Sequence, residues 1–316
     1  MTIISSAPGK LILFGEHASS RGKPAIVFAL NSRITVILKK HNYPNKDILI
    51  SSREFNVQRA EYPSGRLNIV SKVISTFFEE TLLNPEQFQL IIKSRIKPGF
   101  GSSAAVIASV LGALNSYYET NFSKRELLRI GIKANYGIKG YGSGLDIAAS
   151  IYGGLIKYQI DQEPEYLPFE KLDLIVGNTG KKSPSGPIVK SVKELEKNNP
   201  EKIQGIFNAI ESLTNEAEEA IKINDLPKLG LLMNKNQELL RKLKVSSEVI
   251  EEMIQAAIDA GAIGGKISGA GIGDNIIVLS QSEKREEIIR ALNKTRGKAL
   301  TYVQIEPNGL MVSGEK

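Results

Sequence analysis

Cysteine and tryptophan are absent from the 316-residue sequence, and histidine occurs only twice, as His17 and His41. A chain without cysteine forms no disulfide and offers no thiolate ligand, and two histidines are too few for a zinc site built from imidazoles. Any metal that this protein binds is therefore expected to be a hard cation held by oxygen atoms.

Long hydrophobic runs are also missing. The longest one, residues 104–114, is interrupted by Ser109 and is shorter than the roughly 18 residues that a membrane-spanning helix needs. The amino-terminal segment "MTIISSAPGK" lacks the basic start and the apolar centre of a signal peptide. These features predict a cytoplasmic protein with no membrane partner.

Clustered basic charge is the third feature that the sequence has little of. The formal net charge is +7, but the lysines are spread along the chain and are not interleaved with aromatic residues as in a nucleic-acid-binding patch. We therefore expect no nucleic-acid partner. RNA binding through a basic surface is the alternative, and it would make affinity for RNA fall steeply with salt.

The first half of the chain reads as strands followed by helices. Apolar and β-branched runs between turn residues predict strands, and apolar residues at helical spacing predict helices, of which 104–118 is apolar on all sides and should be buried. A further helix begins at the capping box Ser123–Glu126 and runs towards Asn135. The predicted strands are 10–18, 24–30, 33–40, 47–52 and 89–96, and the other helix is 66–83.

The second half reads as a helix-rich α+β domain. Residues 161–170 ("DQEPEYLPFE") carry two prolines and four acids and indicate a boundary. After it we predict a strand at 171–177, three or four helices, a glycine-rich turn, and strands at 275–280 and 299–306. The sequence therefore predicts two domains, 1–165 and 166–316.

The segment 97–106 ("KPGFGSSAAV") is a glycine-rich loop between a predicted strand and a predicted helix. A Walker A loop is excluded, because none of the five Gly-Lys pairs is followed by serine or threonine. "GFGSSA" fits the GxGxxA form of the dinucleotide fingerprint, which also needs a second strand ending in an acid about 20 residues later. Glu119 has that spacing but ends one predicted helix and precedes another, so the Rossmann interpretation is disfavoured.

Anion binding remains the best interpretation of this loop. Gly99 and Gly101 let the backbone approach an anion, and amides from Gly101 to Ala104 point towards it at the start of a helix. Ser102 and Ser103 add hydroxyls, and one of them is a candidate magnesium ligand. A helix start that is simply capped by serine is the alternative.

Two other stretches contain candidate functional residues. Alternating glycines in 266–274 ("KISGAGIGD") either form a tight turn or expose amides to an anion. Asp146 either forms a capping box with Ser143 or accepts a proton from a hydroxyl, with a lysine such as Lys10 keeping it ionised.

In this order, the stretches "APGKLILFGEH", "PGFGSSAA" and "KISGAGIGD" resemble the three motifs of the GHMP kinase superfamily, over nearly the whole chain. Within it the chain is most similar to the mevalonate kinases of archaeal type. "FGEHASSRGKPAI", "GSGLDIAASIYGG" and "VGNTGKKSPSGPIV" resemble that family's opening, aspartate segment and substrate loop. Galactokinases begin differently, and homoserine and phosphomevalonate kinases usually lack "GEH" in this form.

The resemblance implies an α+β fold of two domains. The first would combine a mixed β-sheet with helices, the second would be helix-rich and ferredoxin-like, and the active-site cleft would lie between them. It also implies ATP-dependent phosphorylation of the 5-hydroxyl of mevalonate with Mg²⁺ as cofactor, and a homodimer. The alternatives are a GHMP kinase that acts on phosphomevalonate, homoserine or another small hydroxy acid, and a non-catalytic sensor that binds ATP and a ligand.

The roles of individual residues are likewise implied by the resemblance. Asp146 would be the general base and Lys10 its electrostatic partner, while Ser103 would ligate Mg²⁺. The implied contacts to ATP phosphates are Pro98, Gly99, Phe100, Gly101, Ser102, Ser103, Ala104, Gly269 and Gly271. The implied substrate contacts are Glu16, His17, Ser185 and Ala270.

Four departures from the family pattern stand out. "HASSRG" replaces the usual "HAVVYG" type, Phe100 stands where leucine is common, and Asp274 stands where glycine is usual. The family's second magnesium ligand is typically a glutamate, and its position here is Asn135. Glu126 is nine residues earlier and faces the opposite side of the helix, so Asn135 is the remaining candidate and the metal should depend on Ser103, phosphate oxygens and water.

Overall fold

The computed structural model describes residues 1–44, 46–97, 99–169 and 171–315. The strands are β1 (Thr2–Phe14), β2 (Ala25–Lys40), β3 (Ile48–Ser52), β4 (Val57–Glu61), β5 (Phe88–Ser94), β6 (Leu155–Tyr158), β7 (Glu165–Tyr166), β8 (Leu174–Asn178), β9 (Gly264–Ser268), β10 (Asn275–Leu279), β11 (Lys298–Val303) and β12 (Met311–Glu315). The helices are α1 (Asn68–Thr81), α2 (Ser102–Tyr117), α3 (Lys124–Lys139), α4 (Leu145–Tyr152), α5 (Ser185–Asn198), α6 (Pro200–Lys222), α7 (Leu226–Lys242), α8 (Glu248–Asp259) and α9 (Arg285–Leu292).

The chain groups into two compact units. The first unit comprises Met1–Lys10, Ala29–Gly154 and Glu306–Lys316, and the second comprises Leu11–Phe28 and Leu155–Ile305. Each unit is discontinuous in sequence because β1 and β2 both run from one unit into the other. The chain passes from the first unit to the second between residues 154 and 155, before the predicted domain boundary at 165–166. The division into domains 1–165 and 166–316 stays a prediction.

The first unit combines a sheet with α1 to α4. The strand order is β12-β1-β2-β5-β3-β4, in which β2 and β5 are antiparallel while β3 and β5 are parallel. Twelve of the sixteen residues of α2 are buried, which confirms that this apolar helix lies in the core. Because β5 ends at Ser94 and α2 begins at Ser102, the glycine-rich loop connects a sheet strand to a buried helix.

Helix ends in this unit follow from local chemistry. The predicted capping box of α3 is confirmed, since Ser123 Oγ accepts a hydrogen bond from the Glu126 amide and the Glu126 carboxylate accepts one from the Ser123 amide. On α1, Val70, Ile74 and Phe77 are buried with the spacing of one helical face. Burial of each such side chain contributes about 2 kcal/mol.

The second unit is built on a four-stranded antiparallel sheet with the order β11-β8-β10-β9. Residues of β8, β9 and β10 share an apolar core with α5 to α9, and within this unit β6 pairs with Ala25–Phe28 of β2 and with β7. Core residues on the sheet and helices include Ile175, Phe207, Leu240, Met253, Ile267, Ile276, Val278 and Ile288. The predicted helix-rich α+β organisation is confirmed here.

The separate strands predicted at 24–30 and 33–40 are wrong, because β2 is continuous through Asn31 and Ser32. Polar residues at that point suggested a turn, but the strand passes them while its two ends pair with different partners, β6 and β5. Strands β4, β6, β7, β9 and β12 were not predicted, and the strand predicted at 10–18 instead begins at Thr2 and ends at Phe14. Among the described residues, the helices include none with the length and apolar character needed to cross a membrane.

Candidate active site

The glycine-rich loop of the first unit is shaped by left-handed backbone at two of its glycines. Gly99 has φ +82° and Gly101 has φ +77°, conformations that glycine adopts without a steric penalty. Gly101 is the N-cap residue of α2, and no side chain caps the helix. The alternative of a helix start capped by serine is therefore wrong. Pro98, which was predicted to belong to this site, lies outside the described residues.

Two backbone amides at the start of α2 are available to a ligand. The amides of Ala104 and Ala105 both donate to the Gly101 carbonyl, at 3.1 and 3.2 Å. In the part of the chain that the structure describes, no hydrogen bond is made by the amides of Ser102 and Ser103. These donors at the positive end of a helix suit an anion, whereas the amide of Ala104 is already used.

The residues of β1 that belong to the first unit contact the glycine-rich loop. The Lys10 amide donates to the Phe100 carbonyl at 2.9 Å, and a Cβ at Gly9 would come within 2.4 Å of the same oxygen. Phe100 is only 3% exposed and anchors the loop in the core. A Cβ at Gly101 would lie 3.0 Å from Cγ and Cε of Lys10, so the lysine stem lies directly against the loop.

Lys10 also contacts the predicted base. Its Nζ lies 2.6 Å from Oδ1 of Asp146, with the lysine side chain 8% exposed and the aspartate side chain 47% exposed. Asp146 lies in the first turn of α4, and the N-cap of that helix is Gly144 at φ +87° with no side-chain cap. The predicted Ser143–Asp146 capping box is therefore wrong, because the carboxylate pairs with Lys10 instead.

The carboxyl group of Asp146 is held in its ionised form. Partial burial acts to raise its pKa, but the charge and hydrogen bond of Lys10, with a smaller effect of Lys139, outweigh this and place the pKa below the usual value. An ionised, accessible carboxylate can accept a proton from a substrate hydroxyl. Lys10 thus contacts both the glycine-rich loop and the predicted base.

Asn135 lies on α3 beside the segment that leads into α4. Its Nδ2 is 3.0 Å from the point where a Cβ on Gly142 would lie. Within the described ranges, no cluster of three or more histidine, aspartate or glutamate side chains could hold a metal ion. Ser103 and Asn135 stay the predicted ligands of a cation.

The predicted substrate residues Glu16 and His17 lie in the second unit, just after β1. The Glu16 carboxylate forms a fully buried ion pair with Lys266 on β9. The His17 ring nitrogen Nε2 lies 2.9 Å from the carbonyl oxygen of Ala270, and burial, followed by the charge of Arg21, outweighs this hydrogen bond and lowers the pKa of His17 to about 4. The imidazole is therefore neutral at physiological pH.

The third glycine-rich segment is residues 269–274 of the motif "KISGAGIGD", and it forms the turn between β9 and β10. Gly269 and Gly271 have φ of +112° and +94°, and a Cβ on Gly271 would lie 2.1 Å from the Val245 carbonyl oxygen. Asp274, the departure from glycine, also has a left-handed φ of +54°, which aspartate tolerates better than most residues. Ser185 is the first residue of α5.

Two residues of this region were not predicted as site residues, Lys266 and Ser268. Ser268 Oγ contacts both the amide and the carbonyl of Ile12 at 2.9 Å. The sequence signal was a single lysine inside the buried strand segment 264–268, since a lone charge in a buried strand needs a partner. Its partner, Glu16, is 250 residues away, so spacing alone could not identify the pair.

Comparison with known proteins identifies the family of the chain. Residues 68–154 match the family model of the GHMP kinases N terminal domain, and residues 217–298 match that of the GHMP kinases C terminal. The mevalonate kinase of Pyrococcus furiosus is 33% identical over 306 residues, covering 90% of this chain and 91% of that protein. The mevalonate kinase of Thermococcus gammatolerans is 32% identical over 335 residues, covering 99% and 98%.

A solved structure of L. major mevalonate kinase in complex with R-mevalonate has a TM-score of 0.78 and 25% identity, covering 96% of each chain. The chain belongs to the GHMP kinase family. It is a kinase with the two-domain α+β fold of that family, as the resemblance of its three motifs implied.

Proposed function

We propose that this chain transfers the γ-phosphoryl group of ATP to the 5-hydroxyl of mevalonate, which yields 5-phosphomevalonate and ADP. The observation that carries the proposal is the position of Lys10, whose side chain lies against Gly101 and bonds Asp146. Similarity over nearly the full chain to mevalonate kinases at 33% and 32% identity supports mevalonate as the acceptor.

The anion-binding loop would hold the β- and γ-phosphates of ATP. The amides of Ser102 and Ser103 supply donors, and the left-handed glycines at 99 and 101 keep side chains away from the phosphates. The Lys10 ammonium adds positive charge beside the loop. The remaining proposed phosphate contacts are Pro98, Phe100, Gly269 and Gly271, whereas the amide of Ala104, which was predicted as a further donor, already donates to the Gly101 carbonyl.

Asp146 would act on the acceptor. The 5-hydroxyl oxygen attacks the γ-phosphorus, the bond from that phosphorus to the bridging oxygen breaks, and the hydroxyl proton passes to the Asp146 carboxylate. Lys10 keeps the carboxylate ionised between turnovers. His17, Ser185 and Ala270 are the proposed mevalonate contacts, whereas Glu16, which was predicted as one, is fully buried against Lys266.

Ser103 and Asn135 are the proposed protein ligands of Mg²⁺. The described residues contain no carboxylate cluster that could hold the ion, so the hydroxyl of Ser103 and the amide oxygen of Asn135 would be its protein ligands. Such a site fits a hard cation that takes most of its ligands from ATP phosphates and water. The ion would neutralise phosphate charge when bound. A cytoplasmic location and a homodimer stay predictions.

Two alternatives differ in what they require of the site. A GHMP kinase for phosphomevalonate, homoserine or another hydroxy acid would use the same phosphate loop and base with a different acceptor. A non-catalytic sensor would need neither Asp146 nor its bond to Lys10, and the 2.6 Å contact between them favours catalysis.

Replacement of the base tests the chemical part of the proposal. Asp146→Asn keeps the side-chain shape but removes the proton acceptor, so kcat with mevalonate should fall by about 10²- to 10⁴-fold. ATP affinity, measured by calorimetry, should change little because the loop is untouched. Asp161→Asn, an exposed site in the second unit, is the matched control. Full activity of Asp146→Asn would remove Asp146 from the mechanism.

A further inference from the structure

The ion pair between Glu16 and Lys266 is completely buried, with both side chains at 0% exposure. The Lys266 ammonium donates to the Glu16 carboxylate and, at 2.6 Å, to the Ile267 carbonyl, and it lies 5.9 Å from the centre of the Phe14 ring. Burial lowers the pKa of Lys266, while the charge and hydrogen bond of Glu16 oppose this shift. The ammonium is therefore enclosed and has defined partners.

Residues 12–17, which include Glu16, make two further contacts with β9 and the turn that follows it. Ser268 Oγ bridges the amide and the carbonyl of Ile12, and His17 bonds the Ala270 carbonyl. Residues 12–17 are thus held at three positions, 12, 16 and 17, by residues 266–270. Lys266 supplies the only charged one of these three contacts.

His17 needs such support because its backbone is in an uncommon conformation. Its φ is +62°, in the left-handed region that side-chain-bearing residues rarely occupy. Such a residue keeps its conformation only where the surrounding contacts determine it. The preceding residue, Glu16, is the one that Lys266 binds.

The contact with Ala270 fixes which ring nitrogen of His17 carries hydrogen. A carbonyl oxygen can only accept, so Nε2 at 2.9 Å must be the donor. In a neutral ring, Nδ1 is then an acceptor. Over the described ranges of the chain, no hydrogen bond to His17 Nδ1 is found.

We propose that Lys266 is a positioning residue, which through Glu16 holds His17 so that Nδ1 accepts a hydrogen bond from a hydroxyl group of the acceptor substrate. This inference rests on the proposed function, because it takes His17 to be a mevalonate contact. A neutral acceptor recognises an alcohol, whereas a protonated imidazole would instead recognise a carboxylate. The charged groups around His17 are the Glu16–Lys266 pair and Arg21, whose Nη1 donates to the His17 carbonyl at 3.1 Å.

Lys266→Met removes the charge while keeping the length of the side chain. Lys157→Met is the matched control, because Lys157 forms an ion pair with Glu218 at 2.6 Å in the same unit. The chain has only two histidines, so ¹⁵N-histidine NMR shows two imidazoles, and His41→Asn identifies the signal of His17.

In the unaltered protein, His17 should show the Nε2–H tautomer and titrate at about 4. In Lys266→Met the loosened segment should admit water, so the pKa of His17 should rise by a unit or more. The KM for mevalonate should rise about tenfold, which corresponds to about 1.4 kcal/mol, while the KM for ATP changes less than twofold. Lys157→Met should change neither the His17 signal nor the KM for mevalonate.

A folded Lys266→Met protein with an unchanged His17 signal and an unchanged KM for mevalonate would overturn the proposal. If that variant does not fold, the neutral pair Glu16→Gln with Lys266→Met avoids a buried unpaired charge, and the same two outcomes decide. The NMR titration needs no substrate. If the His17 signal changes in Lys266→Met but the unaltered protein does not phosphorylate mevalonate, the proposed function is overturned and the positioning of His17 by Lys266 stands.

Discussion

Lys10 is 8% exposed although it carries a charge, and it touches both the anion-binding loop and the proposed base. A buried lysine is stable where a partner compensates for its lost hydration, and Asp146 is that partner. The charge of Lys10 in turn lowers the pKa of Asp146 and keeps its carboxyl group ionised.

Lys10→Met should move the acid limb of the pH profile of kcat upwards. Without the lysine, the lowering effect is lost and partial burial, which raises the pKa of Asp146, remains. A base is active when deprotonated, so a higher pKa means that activity is lost at a higher pH. We also expect kcat at neutral pH to fall by about 10²-fold, because the charge beside the phosphates is gone.

The measurement is kcat with mevalonate between pH 4 and pH 8. In this range the unaltered protein should show no acid limb from Asp146, because the pKa of that carboxyl lies below its usual value of 3.8, whereas in Lys10→Met the limb should enter the range. Lys23→Met is the control, since Lys23 forms a similar 2.6 Å ion pair with Glu211 within the second unit. An acid limb that does not move in Lys10→Met would show that Asp146 is not the group that titrates.

Asn135→Glu should reduce the concentration of Mg²⁺ that half-saturates the enzyme, by about three- to tenfold. A carboxylate binds magnesium more strongly than a neutral amide oxygen does. Asn208→Glu, the same change at an exposed position of α6, is the control. If the Mg²⁺ dependence of Asn135→Glu equals that of the unaltered protein, residue 135 is not near the metal.

At the scale of elements, the segment from β5 through the glycine loop to α2 contains the proposed phosphate site. The sequence predicted it well because its signals are local: a β-rich run, glycines two residues apart, and a helix that is apolar on all sides. The length of β2 and the Ser143–Asp146 interpretation were wrong, because both depend on partners distant in sequence: β5 and β6 for the strand, and Lys10 for the aspartate.

Gly101→Ala should impair ATP binding, whereas Gly140→Ala should not. Both glycines have left-handed φ, +77° and +68°, so each substitution should lower the free energy of unfolding by about 1 kcal/mol. Only at Gly101 would the new Cβ press on Lys10, at 3.0 Å, while Gly140 has nothing within 4 Å. Displacing the lysine should raise the KM for ATP by about tenfold.

Urea unfolding of both variants and KM for ATP separate strain from function. Equal losses of stability with a raised KM only in Gly101→Ala are expected. Equal KM values in the two variants would mean that the contact between loop and lysine is not needed for nucleotide binding.

At the scale of the whole molecule, the two units contribute different residues to the proposal. The first contains Lys10, the phosphate loop and Asp146, and the second contains Glu16, His17 and the third glycine segment. The sequence predicted that each of these stretches is functional only through their joint resemblance to the GHMP kinases. None of the stretches was decisive alone, because a glycine turn or a capped helix explains each one.

The central claim is that mevalonate is the acceptor substrate, and a comparison of acceptors tests it directly. The purified full-length chain is given ATP and Mg²⁺ with mevalonate, phosphomevalonate, homoserine or galactose in turn, ADP release is followed, and the product is identified by ³¹P and ¹³C NMR. We predict that kcat/KM for mevalonate exceeds that for each other acceptor by about 100-fold or more, with phosphate on the 5-oxygen. Faster turnover of another acceptor, or ADP release that does not depend on any acceptor, would contradict the account.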